Sequence, residues 1–202
     1  MRKTSLTIIA VFCVTFVFSQ KLKVIEGSFD FFVGLTEINV EFEYENQKLF
    51  KDNLTNDEYV KKRAADLEED TRGKGKAWKK KWFASRELIY QPKFLELMND
   101  YVHEREAIFF GEELEGTMYT LIVETVWLYP GWNAAVMRHP AELTTVLKFV
   151  ETENRDNVLL VINSKKAPGN RYGGTFSNED RIGEGYAKTG KSLAKLILKK
   201  AF

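Results

Sequence analysis

The stretch Tyr119-Thr120-Leu121-Ile122-Val123-Glu124-Thr125-Val126-Trp127-Leu128-Tyr129, closed by Pro130-Gly131, decides the fold. It is rich in β-branched and aromatic side chains, which suit a pleated, half-buried surface, and it stops on a turn dipeptide. Two similar runs follow. Ala141 to Glu151 ends at the polar Asn154-Arg155-Asp156-Asn157 segment, and Val158 to Ser164 ends before Pro168-Gly169. Short polar connections of this kind favour antiparallel neighbours.

Beyond the third run, a glycine-rich loop from Pro168 to Phe176 leads to Ser177-Asn178-Glu179-Asp180, a helix start, and to a final helix ending near Lys200. Ile182, Tyr186, Thr189, Leu193 and Ile197 trace one face of that helix, and Lys188, Lys191, Lys195 and Lys199 trace another. Upstream, Ile38, Val40, Phe42 and Tyr44 alternate with Asn39, Glu41, Glu43 and Glu45, the period of a strand with one buried and one acidic face. Lys21 to Ile25 and Phe29 to Val33 are shorter apolar stretches expected to pair with it. Thr55 and Glu58 form a capping box for a helix through about Glu69. A second helix is expected from about Lys76 to Leu88. A third starts at Pro92, with Phe94, Leu97, Met98, Tyr101 and Val102 on its core face.

Helix docked on sheet is the economical way to bury these faces. The expected fold class is therefore α+β in two layers, with a mostly antiparallel or mixed sheet of four to six strands and helices mainly on one face. The chain has 202 residues, 44% of them hydrophobic and 29% charged, with a formal net charge of +1. That composition supports a real core and excludes wholesale disorder. The near-neutral charge argues against a dedicated nucleic-acid binder, which carries a basic excess.

Met1-Arg2-Lys3, the uncharged run Leu6 to Phe18 and the Ser19-Gln20 junction read as a secretory signal cleaved after Ser19, leaving a single domain over residues 20–202. The apolar run is shorter than the ~20 residues a spanning helix needs. Membrane anchoring is therefore not expected after cleavage, and the protein is expected in the periplasm or the medium. Cys13, the sole cysteine, lies in the signal behind Phe12, which does not suit lipidation. Losing Arg2 and Lys3 takes the charge from +1 to −1 and leaves no thiol for a disulfide, a nucleophile or a metal.

Gly185-Tyr186-Ala187-Lys188-Thr189-Gly190-Lys191-Ser192 matches the phosphate-loop pattern letter for letter. The pattern needs a strand feeding the loop, and here a helix start precedes it, so no nucleotide is expected. Arg72 to Lys81 is a basic run in which Lys76, Lys79, Lys80 and Lys81 could touch an anionic surface, although Asp66, Glu68, Glu69 and Asp70 precede it. Trp78 and Trp82, interleaved with these lysines, read as core anchors. His103 and His139 lack metal-site spacing, the carboxylates Glu112, Glu113 and Glu115 form no recognisable acid-base pair, and no cofactor is expected. Trp127, Tyr129 and Trp132 around the turn, with Arg171 and Tyr172 in the later loop, form a possible ligand or partner surface; equally, they could close one end of the core.

The strand-strand-strand-helix half, with its Gly173-Gly174 loop and the Ser19-Gln20 junction, resembles uncharacterised secreted proteins of the Bacteroidetes. More distantly, residues 119–202 resemble the small α/β domain of envelope lipoproteins such as the curli-secretion pore protein, the penicillin-binding-protein activators and the N-terminal domain of TolB. The resemblance implies a domain working by protein contacts in the cell envelope, and it transfers no functional residue. The leading expectation is an exported, non-catalytic envelope component that binds or assembles. The alternatives are an extracytoplasmic enzyme with an unrecognised acid/base site, and anionic-surface binding through residues 72–82.

Overall fold

A computed structural model describes residues 20–134, 137–169 and 177–202. The strands are β1 (Lys21–Gly27), β2 (Glu37–Glu43), β3 (Lys48–Leu49), β4 (Leu54–Thr55), β5 (Phe109–Gly111), β6 (Tyr119–Tyr129), β7 (Trp132–Ala134), β8 (Met137–His139), β9 (Ala141–Glu151) and β10 (Val158–Gly169). The helices are α1 (Asn56–Asp70), α2 (Lys74–Ser85), α3 (Gln91–Glu106) and α4 (Asn178–Lys200). The class is α+β. The main sheet runs β1-β10-β9-β6-β2-β5, with the β3–β4 hairpin attached to the end of β6.

The long strands β6, β9 and β10 pair antiparallel, β9 to β10 across the short polar segment 152–157 and β6 to β9 across an excursion that carries β7 and β8, while β2 pairs parallel with both β5 and β6. The sheet is therefore mixed. Leu121, Leu147, Phe149, Leu160 and Ile162 are buried on one face, and α4 packs across β9 and β10 on that side. The registers place Glu41 beside Ile122, and Ile122 beside Lys148, on the opposite face. β6 and β9 span the residues expected of them. β10 runs on to Gly169, because Pro168 and Gly169 still pair with Glu142 and Ala141 at the strand end.

Three local expectations are corrected. Lys21 to Ile25 forms β1 but pairs with β10, on the far side of the sheet from β2. Phe29 to Val33 is not a strand; Asp30–Phe32 makes a 3-10 turn that buries Phe32 and sets the Phe31 ring tilted against it at 4.3 Å. The second and third helices are continuous: α2 passes through a π-turn, Arg86–Tyr90, directly into α3. Pro92 lacks the N–H for a bond to the preceding turn, and a widened turn accommodates that loss without ending the helix.

The phosphate-loop string lies inside α4, and its residues serve packing. A Cβ on Gly190 would fall 2.3 Å from the carbonyl oxygen of Phe94, so only glycine lets α3 and α4 approach this closely. Thr189 Oγ1 donates back to Gly185 O at 2.8 Å, and the Lys191 ammonium lies 5.0 Å from the Tyr101 ring centre. Ile182, Tyr186, Thr189, Leu193 and Ile197 are all buried, as their helical spacing implies.

Candidate functional site

A cleft of about 830 Å³ opens where four segments meet. α1 contributes Tyr59, Lys62, Arg63 and Asp66, whose spacing of i, i+3, i+4 and i+7 puts them on one side of the helix. The β3–β4 hairpin adds Phe50, Asp52 and Leu54. The turn after β6 adds Pro130, Gly131, Trp132 and Asn133, and the start of α4 adds Ser177, Asn178 and Arg181.

Local sequence positions each wall. Thr55 caps α1 by accepting from Glu58 N, and the Glu58 carboxylate accepts from Thr55 N at 2.8 Å. Ser177 and Asp180 repeat this reciprocal cap at the start of α4. The positive end of the α4 dipole therefore faces the cleft beside Arg181, which bonds Asn178. Gly131 turns the chain at φ 73°, a left-handed conformation that seats Trp132 on the rim.

The floor is aromatic. Tyr59 meets Phe50 at 5.3 Å and Trp82 at 5.2 Å, and burial pushes its phenol up to about 12. Phe50 holds a left-handed φ of 59°, and its neighbours secure it: its N–H donates to Leu128 O at 3.1 Å, and its carbonyl accepts from Trp127 Nε1 at 2.8 Å. Arg63 and Lys62 on α1, with Arg181 on α4, set three cations against Asp52 and Asp66. The cleft can therefore stack a flat or apolar group while pairing charged or hydrogen-bonding groups of either sign.

Of the sequence-derived surface residues, Trp132 lies in the cleft, with 41% of its surface exposed. Tyr129 packs between Phe50, at 5.4 Å, and His139, at 4.9 Å, while Trp127 commits its N–H to Phe50. These two rings support the hairpin beneath the cleft. Arg171 and Tyr172 lie outside the described residues. The stripe Tyr59, Lys62, Arg63 and Asp66 was legible as a helix face, but its convergence with Arg181 depends on how α2, on which α1 packs, is set against the start of α4.

Trp82 is buried, and its Nε1 donates to Asn56 Oδ1 at 3.0 Å, which makes it the core anchor its spacing suggested. Lys76, Lys79 and Lys80 are exposed on α2 and make no ion pair among the described residues, whereas Lys81 pairs at 3.1 Å with Glu179, buried in the first turn of α4. Lys74 pairs with Asp70 at 2.6 Å, so the acidic segment does draw in part of the basic run.

His103 lies edge-on to Phe109, and His139 Nδ1 is 2.9 Å from Pro140 O. Among the described residues no group of three or more histidine, aspartate, glutamate or cysteine side chains could hold a metal ion. Glu112 has its carboxyl raised by burial and then by Glu113 and Glu87, but it does not line the cleft. A second cleft, of about 810 Å³, holds Arg86 stacked 4.3 Å from the Tyr44 ring centre, with Glu43, Glu45, Asp57 and Glu124 among its walls. No helix of the described residues is long and apolar enough to cross a membrane.

No family model matches this chain, and no curated protein matches it. Among solved structures, a chain of the PelC dodecamer from Paraburkholderia phytofirmans matches at a TM-score of 0.40 and 9% sequence identity, covering 87% of this chain and 97% of that chain.

Proposed function

We propose that this protein is exported, loses residues 1–19 and works in the cell envelope as a binding or assembly component that engages its ligand or partner through the cleft between α1, the turn after β6 and the start of α4. The observation that carries the reading is the position of Trp132. A large aromatic ring is left 41% exposed on a rim, beside Arg63, Arg181 and Asp66. Rigid exposed aromatics flanked by arginine supply contact area at low entropic cost, which is what recognition surfaces use.

Site-specific photocrosslinking tests it. A photoreactive residue at position 132 should give discrete adducts in the native envelope fraction, and the same residue at Val146, on the opposite sheet face, should not. Arg63→Ala should weaken the adducts from position 132. Equal labelling from both positions, or adducts indifferent to Arg63→Ala, would refute the cleft as the site.

A second reading, contact with an anionic lipid or polysaccharide surface, is favoured by one observation: Lys76, Lys79 and Lys80 are exposed and carry no ion pair among the described residues. It requires retention on heparin that falls with salt and with charge reversal of these three lysines. Retention unchanged by the reversal excludes it.

A further inference from the structure

The residue that export would leave at the front of the chain is held by two serines from opposite layers of the fold. Gln20 precedes β1, and β1 pairs with β10 in a register that sets Leu22 opposite Ser164. Gln20 lies two residues before Leu22, so its side chain follows that of Leu22 toward the helix-covered face. There its Nε2 donates to Ser164 Oγ at 2.8 Å, and its Oε1 accepts from Ser192 Oγ at 2.6 Å. Ser164 is fully buried, and Ser192 is the last residue of the phosphate-loop string inside α4. Both ends of one amide are thus engaged, one by the sheet and one by the helix.

An amino-terminal glutamine has a reaction open to it that an internal one lacks. Its α-amino nitrogen attacks its own side-chain carbonyl carbon Cδ, the Cδ–Nε2 bond breaks, and Nε2 leaves as ammonia with a proton from the amine. The product is a cyclic lactam, pyroglutamate, and nothing is oxidised or reduced. The side chain must fold back on its own amine for this to occur. In the fold its amide is held by hydrogen bonds to Ser164 and Ser192, and the departing nitrogen is the one that donates to Ser164.

We infer that Gln20 is an amino-terminal clasp whose side-chain amide the folded protein shields from cyclisation to pyroglutamate. The inference rests on the reading that the chain is exported and cut after Ser19. Breaking two neutral hydrogen bonds before reaction slows the folded chain on the order of tenfold or more relative to the unfolded one. Ser192 therefore has a role that neither a phosphate loop nor helix packing would require of it.

The test is intact-mass analysis of protein made from the full-length precursor in an exporting bacterium and purified from the envelope fraction. The expected chain begins at Gln20 and keeps its amide. On incubation it should lose ammonia at least tenfold more slowly in buffer than in guanidinium chloride, and Ser192→Ala should bring the folded rate toward the unfolded one. Ser164→Ala should do the same, with circular dichroism confirming that each variant is folded. A chain that keeps Met1 overturns both the clasp and the export reading, and a chain cut at another position overturns the clasp and the cut after Ser19 while export stands. A chain that begins at Gln20 but cyclises equally fast folded and unfolded, or is unaffected by Ser192→Ala, leaves export standing and overturns the clasp alone.

Discussion

The ammonium of Lys81 lies 3.1 Å from the carboxylate of Glu179, and the two differ sharply in exposure: Lys81 is half in water, whereas Glu179 is 3% exposed in the first turn of α4. The pair joins the basic run of α2 to the helix that forms one wall of the cleft. Removing the lysine leaves a buried carboxylate supported by the α4 dipole and the nearby charge of Arg181. Lys81→Ala should therefore destabilise the protein by about 1 to 2 kcal/mol, between the values for exposed and fully buried pairs. Lys80→Ala should stay within about 0.5 kcal/mol. Guanidinium chloride unfolding of the two variants checks this, and equal midpoints would show that the pair contributes nothing.

The bond from Trp127 Nε1 to the Phe50 carbonyl helps keep a non-glycine residue at φ 59° on the cleft floor. Trp127→Phe keeps an aromatic ring but deletes the donor. The loss should be about 1 kcal/mol for the bond, with the hairpin free to relax from its left-handed turn. Hydrogen exchange should then quicken at the Phe50 amide, which bonds Leu128 O, and not at core amides of β9. Uniform exchange across both would place the effect on global stability instead.

Glu41 and Arg155 form a two-pronged pair on the open sheet face, with contacts of 2.5 and 2.7 Å. The hydrogen bonds from Arg155 hold the Glu41 carboxyl below its ordinary value despite the opposing effect of partial burial. A carboxyl lowered in the fold stabilises the protein above its unfolded value, near 4.5, and that contribution disappears as pH falls through the lower folded value. The pair is well exposed, so the contribution should be under about 1 kcal/mol. Thermal unfolding should thus separate wild type from Glu41→Gln at pH 7 and bring them together in strong acid. A gap that widens on acidification would reverse the assigned sign.

Where a signal was local, the sequence could be read closely. Both capping boxes, Thr55 with Glu58 and Ser177 with Asp180, are matters of four adjacent residues, and the helices start where they stand. β6 and β9 declare themselves by composition and by the turns that end them. Partnership was another matter: alternation in β2 and the apolar run in β1 do not say that β10 and β9 will lie between β1 and the rest of the sheet. Phe29, Phe31 and Phe32 lie in a turn because Phe32 enters the core beside Phe149 while Phe31 packs tilted against both rings, a three-dimensional condition that strand propensity does not register. The same holds for the cleft. Trp132 stood out as an aromatic beside a turn, but Arg63 and Arg181 are separated by most of the chain and reach one cleft only because α2, which carries α1, meets the start of α4 through Lys81 and Glu179.

Gly190 and Lys191 are adjacent letters of the phosphate-loop string, and the fold assigns them opposite importance. The Gly190 position faces the Phe94 carbonyl so closely that any Cβ would collide at 2.3 Å with backbone, which cannot swing aside as a side-chain tip can. Gly190→Ala should push α3 from α4 and cost about 2 to 3 kcal/mol, even though alanine is the better helix former. Lys191 offers its ammonium to the Tyr101 ring at 5.0 Å, a contact between two half-buried residues that also draws the phenol below its ordinary value. Its replacement by alanine should change stability by less than about 1 kcal/mol. A phosphate loop makes the opposite demand, since its lysine grips the phosphate and its glycine shapes the loop around it. Thermal unfolding of both variants, each with and without ATP, discriminates: a large loss confined to Gly190→Ala follows from helix packing, and an ATP-dependent rise in wild-type stability that Lys191→Ala abolishes would mean that the string binds phosphate after all.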